Sequence, residues 1–197
     1  MKVQVLTLAV FTGISTASPV PNTNIESLNI QDPADSPTTL TIDISGVGSG
    51  DAQGSPINTM LIEQFPSQFL ITGISWDLTI ETIGASWLSE ANIRLFNTDQ
   101  TGGYTFAPGI GNDFPGISNY AGFVDLVDLV ALNLDFTTNG DNLLNIEFFE
   151  SFDDAPGAFD AFYLSGSTLT IHLKKVPAPG SLAVLGLGGL VASRRKR

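Results

Sequence analysis

Short runs that alternate apolar and polar residues, cut apart by Gly, Pro and Asn, constrain this chain more than any other feature. Between Thr72 and Thr82, Ile74, Trp76, Leu78 and Ile80 fall on one side and Ser75, Asp77, Thr79 and Glu81 on the other. A strand that buries one face reads this way. The same period orders Leu40, Ile42 and Ile44 within Thr39–Ser45, Leu144, Ile146 and Phe148 within Leu143–Glu150, and Leu169, Ile171 and Leu173 within Thr168–Lys174. Further strands are expected over Ile57–Phe65, Leu88–Asn97 and Ala161–Leu164. Phe123–Phe136 fits a strand or a helical turn; strand is preferred because nothing else in the chain has a helical period. Thr98–Tyr120, rich in Gly, Asn, Asp and Pro, reads as one long loop, and the Gly-rich 46–54 stretch as another. Roughly eight short strands with frequent turns predict an all-β fold, an antiparallel β-sandwich of jelly-roll-like kind.

The two ends read differently. Met1–Ala17 has a positive Lys2, a mostly apolar Val3–Ile14 and small residues Ser15, Thr16 and Ala17, the layout of a secretory signal peptide. Residues 18–38 form a Pro- and Asn-rich lead-in, with at most one short strand near Ile25–Ile30, and 39–175 form the β domain. Residues 176–197 begin with Pro177, Pro179 and Gly180, continue through apolar Leu182–Val191, and end in Arg194, Arg195, Lys196 and Arg197. The eighteen uncharged residues of 176–193 would make a short hydrophobic helix of roughly 27 Å, against a hydrocarbon core of about 30 Å. Its glycines and prolines weaken it further. The terminal cations would hold that end on the cytoplasmic side.

On these residues the tail resembles the PEP-CTERM sorting signals of bacterial surface and matrix proteins. Alanine at 178 stands where the motif's name implies glutamate. The resemblance implies export, transient anchoring in the inner membrane, and cutting near the proline pair by an exosortase-like enzyme after signal peptidase has acted. The destination would be the cell surface or the extracellular matrix. A permanent single-pass anchor is the alternative. The segment from Ile74 to Leu173 is similar to ectodomains that accompany such tails, and at fold level to jelly-roll domains of the galactose-binding kind.

Charge narrows the body's partners. The chain carries −12 overall, yet only Arg94, Lys174 and Lys175 of its eight basic residues lie between 18 and 175, against all twenty acidic groups. The body therefore stands at −17, a surface that repels nucleic acid and attracts cations, or simply stays soluble. Cysteine is absent, which excludes disulfides, thiolate catalysis and Cys-based zinc or iron–sulfur sites.

Candidate chemistry is sparse. His172, the single histidine, falls on the polar row of its strand, and no G-x-S-x-G elbow accompanies it. Glu147, Glu150, Asp153, Asp154 and Asp160 cluster near one loop. Facing carboxylates across a cleft would suit a glycosidase; a hard cation suits them better, and Glu150, Asp153, Asp154 and Asp160 are candidate calcium ligands. Trp76 reads as core. Trp87 and Tyr104, near loops, are candidate glycan contacts through ring stacking. The expectation is a non-enzymatic, structural or adhesive protein of the cell surface or matrix. The alternative is a carbohydrate- or calcium-binding module acting on exopolysaccharide.

Overall fold

A computed structural model describes residues 37–121 and 126–177. The signal peptide, the strand suggested at Ile25–Ile30, and Pro179, Gly180 and the terminal cations all lie outside the described residues. In chain order the elements are β1 (Thr38–Asp43), β2 (Gly48–Ser49), β3 (Thr59–Gln64), β4 (Phe69–Asp77), β5 (Thr79–Thr82), β6 (Ala91–Phe96) and β7 (Gly103–Phe106). They continue with β8 (Ile117–Asn119), β9 (Val127–Asp128), α1 (Leu129–Leu132), β10 (Phe136–Thr137), β11 (Leu143–Glu150), β12 (Ala161–Tyr163) and β13 (Thr168–Lys175). The protein is all-β, and the pairings are antiparallel.

Three sheets share one core. The first runs β1-β13-β4-β10 with β9 also on β4, the second β3-β11-β6-β7, the third β2-β12-β5-β8. Leu40 and Ile42, Leu169, Ile171 and Leu173, and Ile71 and Ile74 fill the core from the first sheet; Ile146, Phe148, Ile93 and Leu95 fill it from the second. Period two delivers these rows, with one exception. Leu173 pairs with Ile71 and His172 with Gly73, so Thr72 is an extra residue in β4. This bulge is what lets Ile71 and Ile74, three apart, both face inward. Gly73 has a reason too. A Cβ there would lie 2.8 Å from both the Leu126 Cδ1 and the Val127 carbonyl, so the absence of a side chain at Gly73 lets β9 close on β4.

Four sequence expectations need correction. Thr72–Thr82 is two strands in different sheets, divided at buried Leu78, whose carbonyl accepts the Tyr120 N–H at 2.7 Å. Thr98–Tyr120 is not one loop: β7 extends the second sheet and β8 the third. The Gly-rich 46–54 stretch contributes β2, since Gly48 and Ser49 pair with Phe162 and Ala161. Within Phe123–Phe136, the described part holds two short bridges separated by a helical turn. Asp128, which interrupts the apolar row, caps that turn by accepting the Ala131 N–H at 3.0 Å, and Asn133 ends it in the left-handed region at φ 56°. Among the described residues no helix is long and apolar enough to cross a membrane.

Candidate functional site

Three regions carry side chains that the fold alone does not require. The first is an open groove of about 450 Å³ lined by Trp76, Asn92, Tyr104, Phe106, Ile110 and Val127, among others. Tyr104 and Phe106 are two apart on β7 and therefore share a face. Phe106 stacks on Trp76 with centroids 4.5 Å apart, and Tyr104 on Phe106 at 5.9 Å. Trp76 is half-buried rather than fully in the core, and its indole Nε1 is buried with no hydrogen-bond partner among the described residues. Tyr104 thus lines a row of rings. Trp87 does not join it: its ring is exposed on the β5–β6 turn, and its backbone N–H donates to Glu90 Oε2 at 2.7 Å.

The second region is the outer side of the third sheet. Ile83, Trp87, Phe114 and Ile117 are all exposed there, Ile117 at 61%. The backbone brings them together. Ile117 pairs with Glu81, the Thr82 N–H bonds to the Gly116 carbonyl at 2.9 Å, and the Leu88 N–H bonds to the Phe114 carbonyl at 3.1 Å. Among the described residues β8 is also an edge strand, bonded to β5 alone.

The third region is acidic and interior. The inward row of β11, Leu144, Ile146 and Phe148, continues two residues on to Glu150, so the pleat points this carboxylate inward at 1% exposure. Ser49 joins it to the third sheet: its hydroxyl donates to Glu150 Oε1, and its carbonyl accepts the Asp160 N–H at 2.9 Å. Asp160 is fully buried, with Oδ2 accepting the Asp154 N–H at 3.1 Å. Ser86 lies beside Asp160, near enough to pull its pKa down against the effect of burial. Even so, neither Ser86 Oγ nor Asp160 Oδ1 completes a hydrogen bond of normal geometry. Tyr163 packs edge-on to Phe148 with centroids 5.2 Å apart, and its hydroxyl, like Glu150 Oε2, has no partner among the described residues. Burial, reinforced by the Asp160 charge, pushes the Glu150 carboxyl up to about 8 against the Ser49 bond. Burial raises Asp160 as well, and burial together with the Glu150 charge raises the Tyr163 hydroxyl.

The sequence candidates divide accordingly. Glu150 and Asp160 come together. Asp153 spends Oδ1 on the Ala155 N–H at 3.0 Å, and the Asp154 side chain is exposed. Glu147 points to the opposite face of β11, where the Gly54 N–H at 2.5 Å and the Asn58 amide at 2.9 Å hold it. Among the described residues no three acidic or imidazole side chains converge as a metal-holding group. Ser49, Ser86 and Tyr163 carry no motif. Only Tyr163 left a trace, as a residue of the strand expected over Ala161–Leu164. His172 touches Ser75 Oγ through Nε2 at 3.3 Å, and partial burial lowers its pKa.

No family model matches the chain, and no curated protein matches it. Among solved structures it is similar to the VP2 subviral particle of infectious bursal disease virus at 14% identity, covering 81% of this chain and 42% of that one, with a TM-score of 0.24. A particle derived from a variant VP2 of the same virus is similar at 17% identity, 82% and 46% coverage, and a TM-score of 0.27. The chain spans less than half the length of these proteins.

Proposed function

We propose that this chain is an exported protein of a bacterial cell surface or extracellular matrix, with a structural or adhesive role and no catalysis. Its body is a jelly-roll-like sandwich, a reading supported by the inward rows of its antiparallel sheets meeting in one core. Signal peptidase would remove Met1–Ala17. The 176–197 segment would hold the chain in the inner membrane until an exosortase-like enzyme cuts near Pro177 and Pro179. The observation that carries the adhesive role is the group of exposed apolar residues Ile83, Trp87, Phe114 and Ile117, which backbone bonds gather along the edge of the third sheet. Clustered exposed apolar side chains mark interaction surfaces.

Two measurements test this reading. Mass spectrometry of the extracellular chain should find a C-terminus near Pro177–Pro179; an intact Arg197 would reject sorting. The Trp87→Ser, Ile117→Thr pair should lower retention on matrix by about tenfold, the scale of losing an interface anchor. Unchanged retention would reject the strip as the adhesive face.

The groove favours a second reading, a saccharide-binding module. Its stacked Trp76, Phe106 and Tyr104 rings and the Asn92 amide offer apolar faces beside a polar group, the usual make-up of a ligand site. Tyr104→Ala should then abolish polysaccharide pull-down, and undiminished binding would remove this reading.

A further inference from the structure

We propose that the interior pocket formed by Glu150, Asp160, Ser49, Ser86 and Tyr163 binds one hard divalent cation, and that calcium is the ion it fits. The surface strip and the aromatic groove play no part in this.

The pocket is built rather than incidental. Ser49 bonds to both carboxyl-bearing residues, one through its hydroxyl and one through its carbonyl. Four oxygens are left over: Glu150 Oε2, Asp160 Oδ1, Ser86 Oγ and Tyr163 Oη. Each belongs to a residue no more than 1% exposed. Native interiors rarely leave so many polar atoms unpaired in one place, because each costs about 1–3 kcal/mol. The Ser49 bridge brings the two carboxyl-bearing residues to one place, with the Tyr163 hydroxyl within electrostatic reach of Glu150 and Ser86 beside Asp160.

The chemistry of the occupant follows from these atoms. They are all oxygens, which select a hard cation over a soft one. Two carboxylates would match a divalent charge. A water molecule could satisfy the hydroxyls but brings no positive charge, so without a cation the Glu150 carboxyl, raised to about 8, stays protonated near neutral pH. Among the described residues, the basic residues stand elsewhere: Arg94 lies over the Phe96 ring at 4.3 Å, and the backbone register sets Lys174 and Lys175 opposite Leu70 and Phe69 at the end of β13. Calcium takes six to eight oxygens in flexible geometry. The four unpaired atoms begin that set, and the second carboxylate oxygens or backbone carbonyls would complete it. Magnesium wants a tighter octahedron and keeps its waters. Glu90 and Asp154, whose charges also act on Glu150, would draw cations toward the site. The bound ion would tie β2, β11, β12 and the 151–160 loop together.

The test uses the full chain, stripped with chelator and titrated with calcium or magnesium chloride. Calcium should bind at one site by calorimetry. At a hundredfold excess over its Kd it should raise the melting temperature by about 5–10 °C, and magnesium should do markedly less. Glu150→Gln and Asp160→Asn should each lose the calcium shift, while the exposed Asp154→Asn keeps it. Terbium emission excited through tyrosine should fall strongly in Tyr163→Phe, which removes only an unpartnered hydroxyl and so keeps the fold. Absence of both heat and shift in the unaltered chain would overturn the site. So would a full shift in Glu150→Gln, or terbium emission indifferent to Tyr163→Phe. An equal shift with magnesium would overturn the choice of calcium.

Discussion

The sheet of β1, β13 and β4 and the sheet of β2, β12, β5 and β8 border the same core, but the second, though it buries Ile80, Ala161 and Tyr163, sorts its side chains less strictly. In the first, Ile42, Leu169, Ile171 and Ile74 point in, while Thr41 and Thr170 meet outside through their hydroxyls at 3.1 Å. In the second, Ser49 and the adjoining Asp160 are buried while Ile83 and Ile117 are exposed. The difference follows strand length. β13 has eight residues and a partner on each side, enough for the pleat to sort every side chain. β2 has two residues and β8 three. Turn bonds position these short strands instead, among them the Ile83 N–H to the Asp160 carbonyl and the Tyr120 N–H to the Leu78 carbonyl, each at 2.7 Å. Where backbone bonds fix a strand, its side chains are released for other work.

The comparison breaks most visibly at Ile171. It has no exposure, and its β13 neighbours pack the same core. Ile171→Ala should cost about 2–5 kcal/mol by the lost transfer and the cavity left behind. Urea unfolding measures this directly. A loss below about 1 kcal/mol would mean the first sheet tolerates voids and does not follow the strict burial described above.

A smaller effect is expected at Glu63, which isolates what burying a carboxylate does outside the acidic pocket. It sits on β3 opposite Leu144, on the inward face, at 9% exposure. Burial alone pushes its carboxyl above the usual range. A carboxyl whose folded pKa lies above its unfolded value lends stability that is complete below the unfolded pKa and is lost as pH rises through the folded one. Glu63→Gln should therefore match the unaltered chain near pH 4. Above the folded pKa it should melt higher, by roughly 1–3 °C. A variant that melts lower at neutral pH would show that the ionised group is favourably held, and the sign would be reversed.

Much of this was legible in the sequence, for reasons the two sheets make plain. Leu143–Glu150 and Thr168–Lys175 form strands nearly where their alternation puts them, because each carries three or more apolar residues at period two. Leu78 was read as mid-strand because its apolar character agrees with both neighbours; only the Tyr120 bond reveals the change of sheet. β7 and β8 were hidden because Gly103–Phe106 and Ile117–Asn119 are too short for a period to emerge. The pocket was half legible. Glu150 stands two residues beyond Phe148 in the inward row, although the sequence groups it with the acidic loop. Ser49 and Ser86 were not legible, because small hydroxyl residues in Gly-rich turns look alike whether wet or dry. Asp153 and Asp154 drew attention as neighbouring charges, yet proximity in sequence placed them on the loop's outside.

The smallest effect on stability belongs to Ile117, and it is the sharpest test of the contrast. Ile117 and Ile171 are the same residue type in strands of two different sheets, one 61% exposed and one not at all. On the edge strand β8 the side chain covers little, so removing its apolar surface forfeits almost no transfer energy. Threonine keeps the β-branch that suits a pleated edge. Ile117→Thr should therefore change unfolding free energy by no more than about 0.5 kcal/mol, while reducing attachment to matrix together with Trp87→Ser. An edge strand with unpaired backbone groups and apolar side chains is a hazard that folded proteins ordinarily blunt with charge. Here Ile117 is left uncovered at no gain to the fold. If Ile117→Thr instead cost as much as Ile171→Ala, the strip would be structural, its exposure would carry no adhesive meaning, and the two sheets would obey one rule after all.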